Sequence, residues 1–506
     1  MPEDKELPII RPVLLEAAVF ICGALVMSYE IVGARIVAPY LGSSTYIWTS
    51  LIGVILGALS LGYWLGGRMA DRRPQLRVLS AAIFIAGGLV SLTILVKSVF
   101  LGSIARSTLP LELLALFASL TLFAPASVAL GFVIPYATKL RLVSLSDTGR
   151  TVGRLYALST LGSILGTFAA GFFFIPFVGS TRTLYLIAGA LFGLAFLISP
   201  IIAERRNITA LVLFAFAVGG SELEAAYLRS LGVVEFDSEY NRIRILETKD
   251  SRTGMPMTAM VIDPFAIQSA KFIESDELVL EYTKFFRLVR HYRPDHRSAL
   301  MIGGAGYSFP KEFLREYPEA TIDVVEIDPA MTAAAKEHFG LQPDPRLRIF
   351  HEDGRRFINR ASGESYDAVF VDAFGTLFSV PFHLTTVEAV REIERVLSDD
   401  GAVIVNIGSA MAGPADGFLA STLATYRSVF PFVEVFKVDG ELEAGKVQNF
   451  IIVARKTEPE FPAEPHPQVK PLLANKQDTE RIRSAQILTD ELAPVELFAS
   501  RAARYR

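Results

Sequence analysis

The residues with the clearest capacity for chemistry stand at the ends of apolar runs in the second half of the chain. The run ALMIGG (299–304) opens straight into GGAGYS (303–308), where Gly303, Gly304 and Gly306 permit a tight turn and the close approach of a ligand to backbone at a helix start. Twenty-two residues past Gly304, at the end of TIDVVEI (321–327), comes Glu326, placed to accept hydrogen bonds from both hydroxyls of a ribose. HEDGRRF (351–357) follows a third run. Taken singly, Asp353 and Gly354 read as a plain turn; beside the other two sites they read as the place that receives an adenine amino group. A fourth run, DAVFVDA (367–373), ends on Asp372, whose carboxylate can attract a cationic amine or sulfonium, or act as general base toward an attacking amine. Strand ends that converge in this way form the crevice in which open α/β sheets bind ligands, so the pattern describes a nucleoside pocket with a carboxylate beside it.

The elements that must position these groups alternate strand and helix from Ser298 onward, as in a parallel, doubly wound sheet. Further strands are expected at 347–350, 402–407, 432–438 and 450–454, with helices near 310–318, 329–338, 384–398 and 416–429. Upstream, NRIRILETKD (241–250) and MPMTAMVID (255–263) flank the turn-rich SRTG and read as a β-hairpin. ESDELVLEYTKFFRLVRHY (274–292) has helical periodicity. The last fifty residues read as a polar tail ending in a helix.

The first 220 residues are a different kind of chain. Hydrophobic residues make up 51% of the 506 and charged residues only 20%, and the apolar excess lies before Ser221. Runs near 13–36, 47–67, 78–96, 113–136, 155–178 and 184–202 approach the roughly 20 residues that cross a bilayer. A seventh, Ile208 to Gly220, is short for a span and fits an interfacial or re-entrant helix as well. The first run carries Glu30 and Arg35 and lacks a cleavage site, so it reads as a retained helix. Both side chains are functional candidates by their depth in an apolar run. Arg68, Arg72, Arg73 and Arg77, then Lys139, Arg141, Arg150 and Arg154, then Arg205 and Arg206 mark alternate loops as cytoplasmic. Domains are therefore expected at 1–220 (six or seven transmembrane helices), 221–273 (linker and hairpin), 274–456 (nucleoside-binding) and 457–506 (tail). The one cysteine, Cys22, lies in the first run, which excludes a disulfide framework or a cysteine-based metal site. The net charge of -4, without a basic, aromatic-interleaved patch, argues against nucleic acid.

With EYNRI (239–243), IGGAG, VVEIDP, EDGRRF, VDAF and PFHLTT in place, the sequence resembles the spermidine/spermine synthases, or polyamine aminopropyltransferases, and in SYEIVGARIVAPYLGSS (28–44) and GYWLGGRMADR their membrane-fused members. The resemblance implies a class I methyltransferase-like, Rossmann-like domain behind a polytopic membrane domain, in the inner membrane with the soluble part in the cytoplasm. It implies transfer of an aminopropyl group from decarboxylated S-adenosylmethionine to an amine such as putrescine, releasing methylthioadenosine. No metal or tightly bound cofactor is expected, while self-association as a homo-oligomer is. By position Asn241 stands where the family has a nucleoside-contacting Gln, Glu326 matches the ribose ligand, Asp353 and Gly354 the adenine site and Asp372 the proton acceptor. Pro381 falls at the adenine pocket, and Gln268 and Asp263 where a substrate channel would open.

The departures fall on the amine side. The soluble enzymes read GGGDG where this chain has GGAGY, so the Asp that holds the donor's amine is Gly306 here; Gly375 replaces a second acidic residue, and Leu280 and Glu281 replace a Tyr-His pair. Glu281, Tyr282 or Glu30 would have to supply substitute contacts for a different acceptor. Two other readings follow: a methyltransferase that uses S-adenosylmethionine itself, and a transporter or sensor that binds polyamine or nucleoside without turnover.

Overall fold

A computed structural model describes residues 12–107, 109–142, 148–199, 205–262, 267–373, 380–459, 461–478, 480, 482 and 485–502. The chain divides into two compact units, Met1–Leu231 and Gly232–Arg506.

The first unit is helical. It contains α1 (Pro12–Leu41), α2 (Thr45–Arg72), α3 (Leu76–Ile104), α4 (Leu111–Leu122), α5 (Ala124–Gly131), α6 (Val133–Arg141), α7 (Thr148–Ala169), α8 (Ile175–Val178), α9 (Ser180–Ile198) and α10 (Arg205–Ser230). Close backbone approach holds α1 to α7: a Cβ on Gly162 would lie 2.0 Å from the Phe20 carbonyl oxygen, so no side chain fits there. Ser28 Oγ donates to the Gly166 carbonyl at 3.0 Å and Ser163 Oγ to that of Gly23 at 3.2 Å, small residues that let the two helix backbones approach closely. Glu30 is buried inside this unit.

Six of its helices are long and apolar enough to cross a membrane, among the described residues, and seven spans result if the pair broken after Leu122 and bent by 49° counts as one. The run 113–136, expected as one helix, is thus three. Pro125 lies in the first turn after the break, where its ring cannot continue the preceding helix, and the Leu122 carbonyl accepts Tyr29 Oη at 2.9 Å and Thr93 Oγ1 at 2.7 Å instead. The seventh run is part of one continuous helix, α10.

The second unit begins with a four-stranded antiparallel meander of β1 (Val234–Asp237), β2 (Arg242–Lys249), β3 (Pro256–Val261) and β4 (Ile267–Phe272). The expected hairpin is β2–β3, closed by Asp250 N donating to Met255 O at 2.9 Å; β1 and β4 extend it. The segment 274–292 is helical only from Glu281, through α11 (Glu281–Lys284), a 3-10 turn (Phe285–Leu288) and α12 (Val289–Tyr292). Its first seven residues spread along β4 instead, with a bridge between Lys271 and Leu278.

The main sheet has seven strands in the order β10-β11-β9-β8-β5-β6-β7. These are β5 (Ser298–Ile302), β6 (Thr321–Val325), β7 (Leu347–Phe350), β8 (Tyr366–Val371), β9 (Leu397–Ser409), β10 (Phe432–Lys437) and β11 (Gln448–Arg455). Strands β7, β6, β5, β8 and β9 run parallel, and β10 and β11 are antiparallel. Central strands bury both faces, which is why they read as unbroken apolar runs. Met301 and Phe370 face one core with α13 (Ser308–Glu316) and α14 (Pro329–His338); Leu300, Ile302, Val369 and Val371 face the other with α15 (Gly354–Arg360), α16 (Val387–Val396) and α17 (Gly417–Arg427).

The last fifty residues are not a free tail. Phe461 stacks on His291 with ring centroids 4.4 Å apart, Val469 beside α18 (Lys470–Leu473) is fully buried, and so are Leu488 and Val495, the latter opening α19 (Val495–Ala502). Asp490 pairs with Arg355 at 3.2 Å and accepts from Thr386 Oγ1 at 2.6 Å. The anchors are spread over separate short stretches, so no sustained periodicity marks them.

Candidate active site

The turn after β5 is built around Gly303. Its φ is +97° and a Cβ there would lie 2.4 Å from the Asp372 carbonyl oxygen, so only glycine lets the end of β5 lie against the end of β8. Asp372 N donates to Ile302 O at 2.8 Å across the same junction. Ala305 and Tyr307 adopt the left-handed region, with φ of 43° and 54°, at a cost of about 1 kcal/mol each. Tyr307 offsets this strain by burial: its side chain is wholly enclosed and its hydroxyl lies 2.7 Å from Thr332 Oγ1 on α14, which also meets His351 Nε2 at 3.0 Å. Nothing in the spacing of GGAGYS marks Tyr307 as inward-pointing.

Glu326 follows β6 and fastens this turn. Its Oε2 accepts the N–H groups of Gly304 and Ala305, both at 2.9 Å, and its Oε1 that of Asp328 at 2.9 Å. Burial raises its pKa while these three N–H groups lower it, the net direction being upward. A carboxylate has about four acceptor directions, so capacity for a further donor remains. Asp328 caps α14 through Ala330 N at 3.0 Å and accepts from Ser238 Oγ at 2.5 Å and Asn241 Nδ2 at 3.2 Å. The chain Asn241–Asp328–Glu326–Gly304 therefore brings the meander, β6 and the glycine turn together.

Asp353 caps α15, accepting Arg356 N at 3.0 Å, and its other oxygen lies 2.9 Å from His383 Nε2. A Cβ on Gly354 would meet Ile302 at 2.5 Å, so this turn also abuts the end of β5. Pro381 leads into the 3-10 turn Phe382–Leu384 that carries His383; the sequence reading passed over that histidine.

Asp372 ends β8 in a polar chain. Tyr282 Oη donates to its Oδ2 at 3.1 Å, Asn406 Nδ2 to its Oδ1 at 2.9 Å, and Asn449 Nδ2 to Asn406 Oδ1 at 2.8 Å. Burial pushes the Asp372 carboxyl up to about 7 against the lowering effect of Asn406 and Tyr282. Burial, with the Asp372 charge, drives the Tyr282 hydroxyl well above its ordinary value, so it remains a donor. The result is a carboxylate poised to exchange a proton near neutrality.

Other expected residues fall outside this constellation. Glu281 pairs with Lys284 at 2.8 Å and Arg252 at 3.2 Å, which leaves it little attraction for a cationic amine. Gln268 lies in β4 at the irregular end of its pairing with β3, half-buried. Asp263 and Gly375 lie outside the described residues. Gly306 packs on β4: a Cβ there would lie 2.4 Å from Ser269 Oγ and 3.0 Å from the Phe339 ring, so the amine-holding Asp of the soluble pattern would need β4 to move.

A mixed, doubly wound sheet with its glycine turn and acidic strand ends defines a Rossmann-like, methyltransferase-type domain. Residues 280–436 match the family model of the spermine/spermidine synthase domain, and the C-terminal part of the chain is a domain of that family. The chain is 35% identical over 152 residues to a polyamine aminopropyltransferase of Vibrio vulnificus, covering 30% of this chain and 49%, about half, of that protein's length. It is 25% identical over 448 residues to polyamine aminopropyltransferase 1 of Streptomyces coelicolor, covering 81% of this chain and 79% of the relative. A probable spermidine synthase of Corynebacterium glutamicum of known structure aligns at 23% identity and a TM-score of 0.41 over 53% of this chain and 94% of its own.

The raised carboxyl has a signature in stability. Its folded pKa of about 7 lies above the roughly 3.9 of an unfolded Asp, so its contribution is intact below pH 4 and is lost as pH rises to 7. Asp372→Asn is expected to melt several degrees above the wild type at pH 8 and level with it at pH 4. Thermal unfolding of the detergent-solubilised protein checks this; an equal difference at both values would mean that the carboxylate is not under strain.

Proposed function

We propose that the chain is a membrane-embedded aminopropyltransferase that uses decarboxylated S-adenosylmethionine and a small amine. The observation that carries this reading is Asp372, held by Tyr282 and Asn406 at the junction with Gly303. The nucleoside lies along the strand ends, with its ribose at Glu326, its adenine at Asp353, Gly354 and Pro381, and Asn241 alongside. The acceptor nitrogen bonds to the propyl carbon as that carbon's bond to the sulfonium sulfur breaks. The electron pair leaves with sulfur as neutral methylthioadenosine, and the amine proton passes to Asp372. Relatives named polyamine aminopropyltransferases, several of them matching along about four-fifths of the chain, support the assignment.

A second reading, methyl transfer from S-adenosylmethionine, draws support from Gly306, because the amine-holding carboxylate is absent and β4 fills its space. Incubation of purified full-length protein with each donor and putrescine separates the two. Methylthioadenosine and spermidine from the decarboxylated donor alone are expected; S-adenosylhomocysteine from the intact donor would replace the proposal with methyl transfer.

The first unit is assigned to the bilayer, with the second on the cytoplasmic side, where the donor is made. This requires α10 to lie along the interface. Its apolar part, Ile208–Gly220, is 13 residues, or about 20 Å at roughly 1.5 Å per residue, short of the roughly 30 Å hydrocarbon core. Although α10 is one of the six helices of span length and composition, it reaches that length only by including Glu222 and Glu224. Cys22 is the only cysteine and is buried, so Ser251→Cys in the exposed hairpin turn gives a clean reporter. A membrane-impermeant maleimide is expected to label it only in permeabilised cells, whereas labelling of intact cells would make α10 a true span.

A further inference from the structure

A cavity of about 360 Å³ lies beside α13, bounded by β4, the Asp276–Leu278 loop and the turn 340–347. It shares no lining residue with Glu326, Asp353 or Asp372. Two ammonium groups converge at one end of it. Lys311 Nζ donates to the Phe339 carbonyl at the end of α14, and Lys271 Nζ lies 3.3 Å from the position a Cβ would take on the next residue, Gly340. Neither lysine forms an ion pair within 4.0 Å among the described residues.

Capping of α14 explains only part of this. A helix C-terminus carries roughly half a negative charge, and two full cations exceed it. The carboxylates on the cavity wall are turned to arginines: Asp276 to Arg315 at 3.8 Å, Glu277 to Arg287 at 3.0 Å, Asp344 to Arg346 at 2.7 Å, and Glu312 to Arg287 and Arg315. The lysine end keeps two ammonium groups without an ion-paired carboxylate among the described residues; Gln342 supplies a neutral amide to the same wall, while the Ser308 hydroxyl donates to the Ala270 carbonyl at 3.0 Å. The volume is that of roughly a dozen waters at about 30 Å³ each, enough for a small solute.

We propose that this cavity binds a small dianion, a phosphate monoester or a dicarboxylate, between Lys271 and Lys311. Burial and the Lys271 ammonium push the Lys311 amine down to about 8, with Asp276 opposing, so a bound anion relieves a repulsion built into the site. The anion holds Lys311 protonated, and affinity falls as pH rises above 8.

Calorimetric titration of the full-length detergent-solubilised protein with sodium phosphate, and separately with sodium malonate, at fixed ionic strength tests this. Saturable binding of at least one is expected at pH 7, weaker at pH 9, at least tenfold weaker in Lys271→Met and recovered in Lys271→Arg, which also controls for folding. Phosphate alone would identify a phosphate monoester as ligand, malonate alone a dicarboxylate. Absence of saturable binding by either, or Lys271→Met binding as the wild type does, overturns the site.

Discussion

The crevice of the C-terminal unit depends on one steric constraint, the contact of Gly303 with the backbone of Asp372. Because no side chain fits between them, the glycine turn after β5 and the acidic end of β8 share one wall. Glu326 then ties the turn to β6 through Gly304 and Ala305, and Gly354 packs against Ile302 from the far side. The first two contacts join the ends of strands adjacent in the sheet and the third seats the start of α15 on the end of β5, so the doubly wound order of strands is what assembles the site.

Burial and hydrogen bonding oppose one another at Asp372. Withdrawal from water favours the neutral acid, while Tyr282 and Asn406 favour the carboxylate, and the balance falls near neutral pH, where a general base is most effective. The Asn449–Asn406 bond fixes the orientation of the Asn406 amide. Such a chain is worth building only if it is fully satisfied, since an unpaired buried polar group costs about 1–3 kcal/mol. Elsewhere in the unit the charges are spoken for. Glu281 is neutralised by Lys284 and by Arg252, and Gly306 leaves its space to β4, so neither position offers an unpaired carboxylate.

Much of the acidic crevice was legible because its polar residues stand at the boundaries of apolar strands. Glu326 and Asp372 are the first charged residues after strands that bury both faces, Asp353 follows the edge strand β7 within a Glu-Asp-Gly turn, and Asp328-Pro329 announces the cap and first turn of α14. Asn406 carried a weaker signal, a lone amide within AVIVNI, which in a buried strand demands a partner. Tyr282 and His383 could not be placed, since their partners lie 90 and 30 residues away. The packing of the last fifty residues escaped notice for a related reason: Val469 and Leu488 are buried where no apolar periodicity marks a face, and Phe461, though half exposed, stacks on a distant histidine. In the helical unit, Pro125 was the available sign that the run 113–136 is broken.

The most direct test of Asp372 as the proton acceptor is the dependence of kcat/KM on pH for aminopropyl transfer, in the wild type and in Asn406→Ala. The rate is expected to rise with pH through a limb near 7, the value to which burial pushes Asp372. Loss of the Asn406 donor, which favours the carboxylate, is expected to move that limb to higher pH. A limb unmoved in Asn406→Ala, or a rate flat between pH 6 and 8, would contradict the assignment.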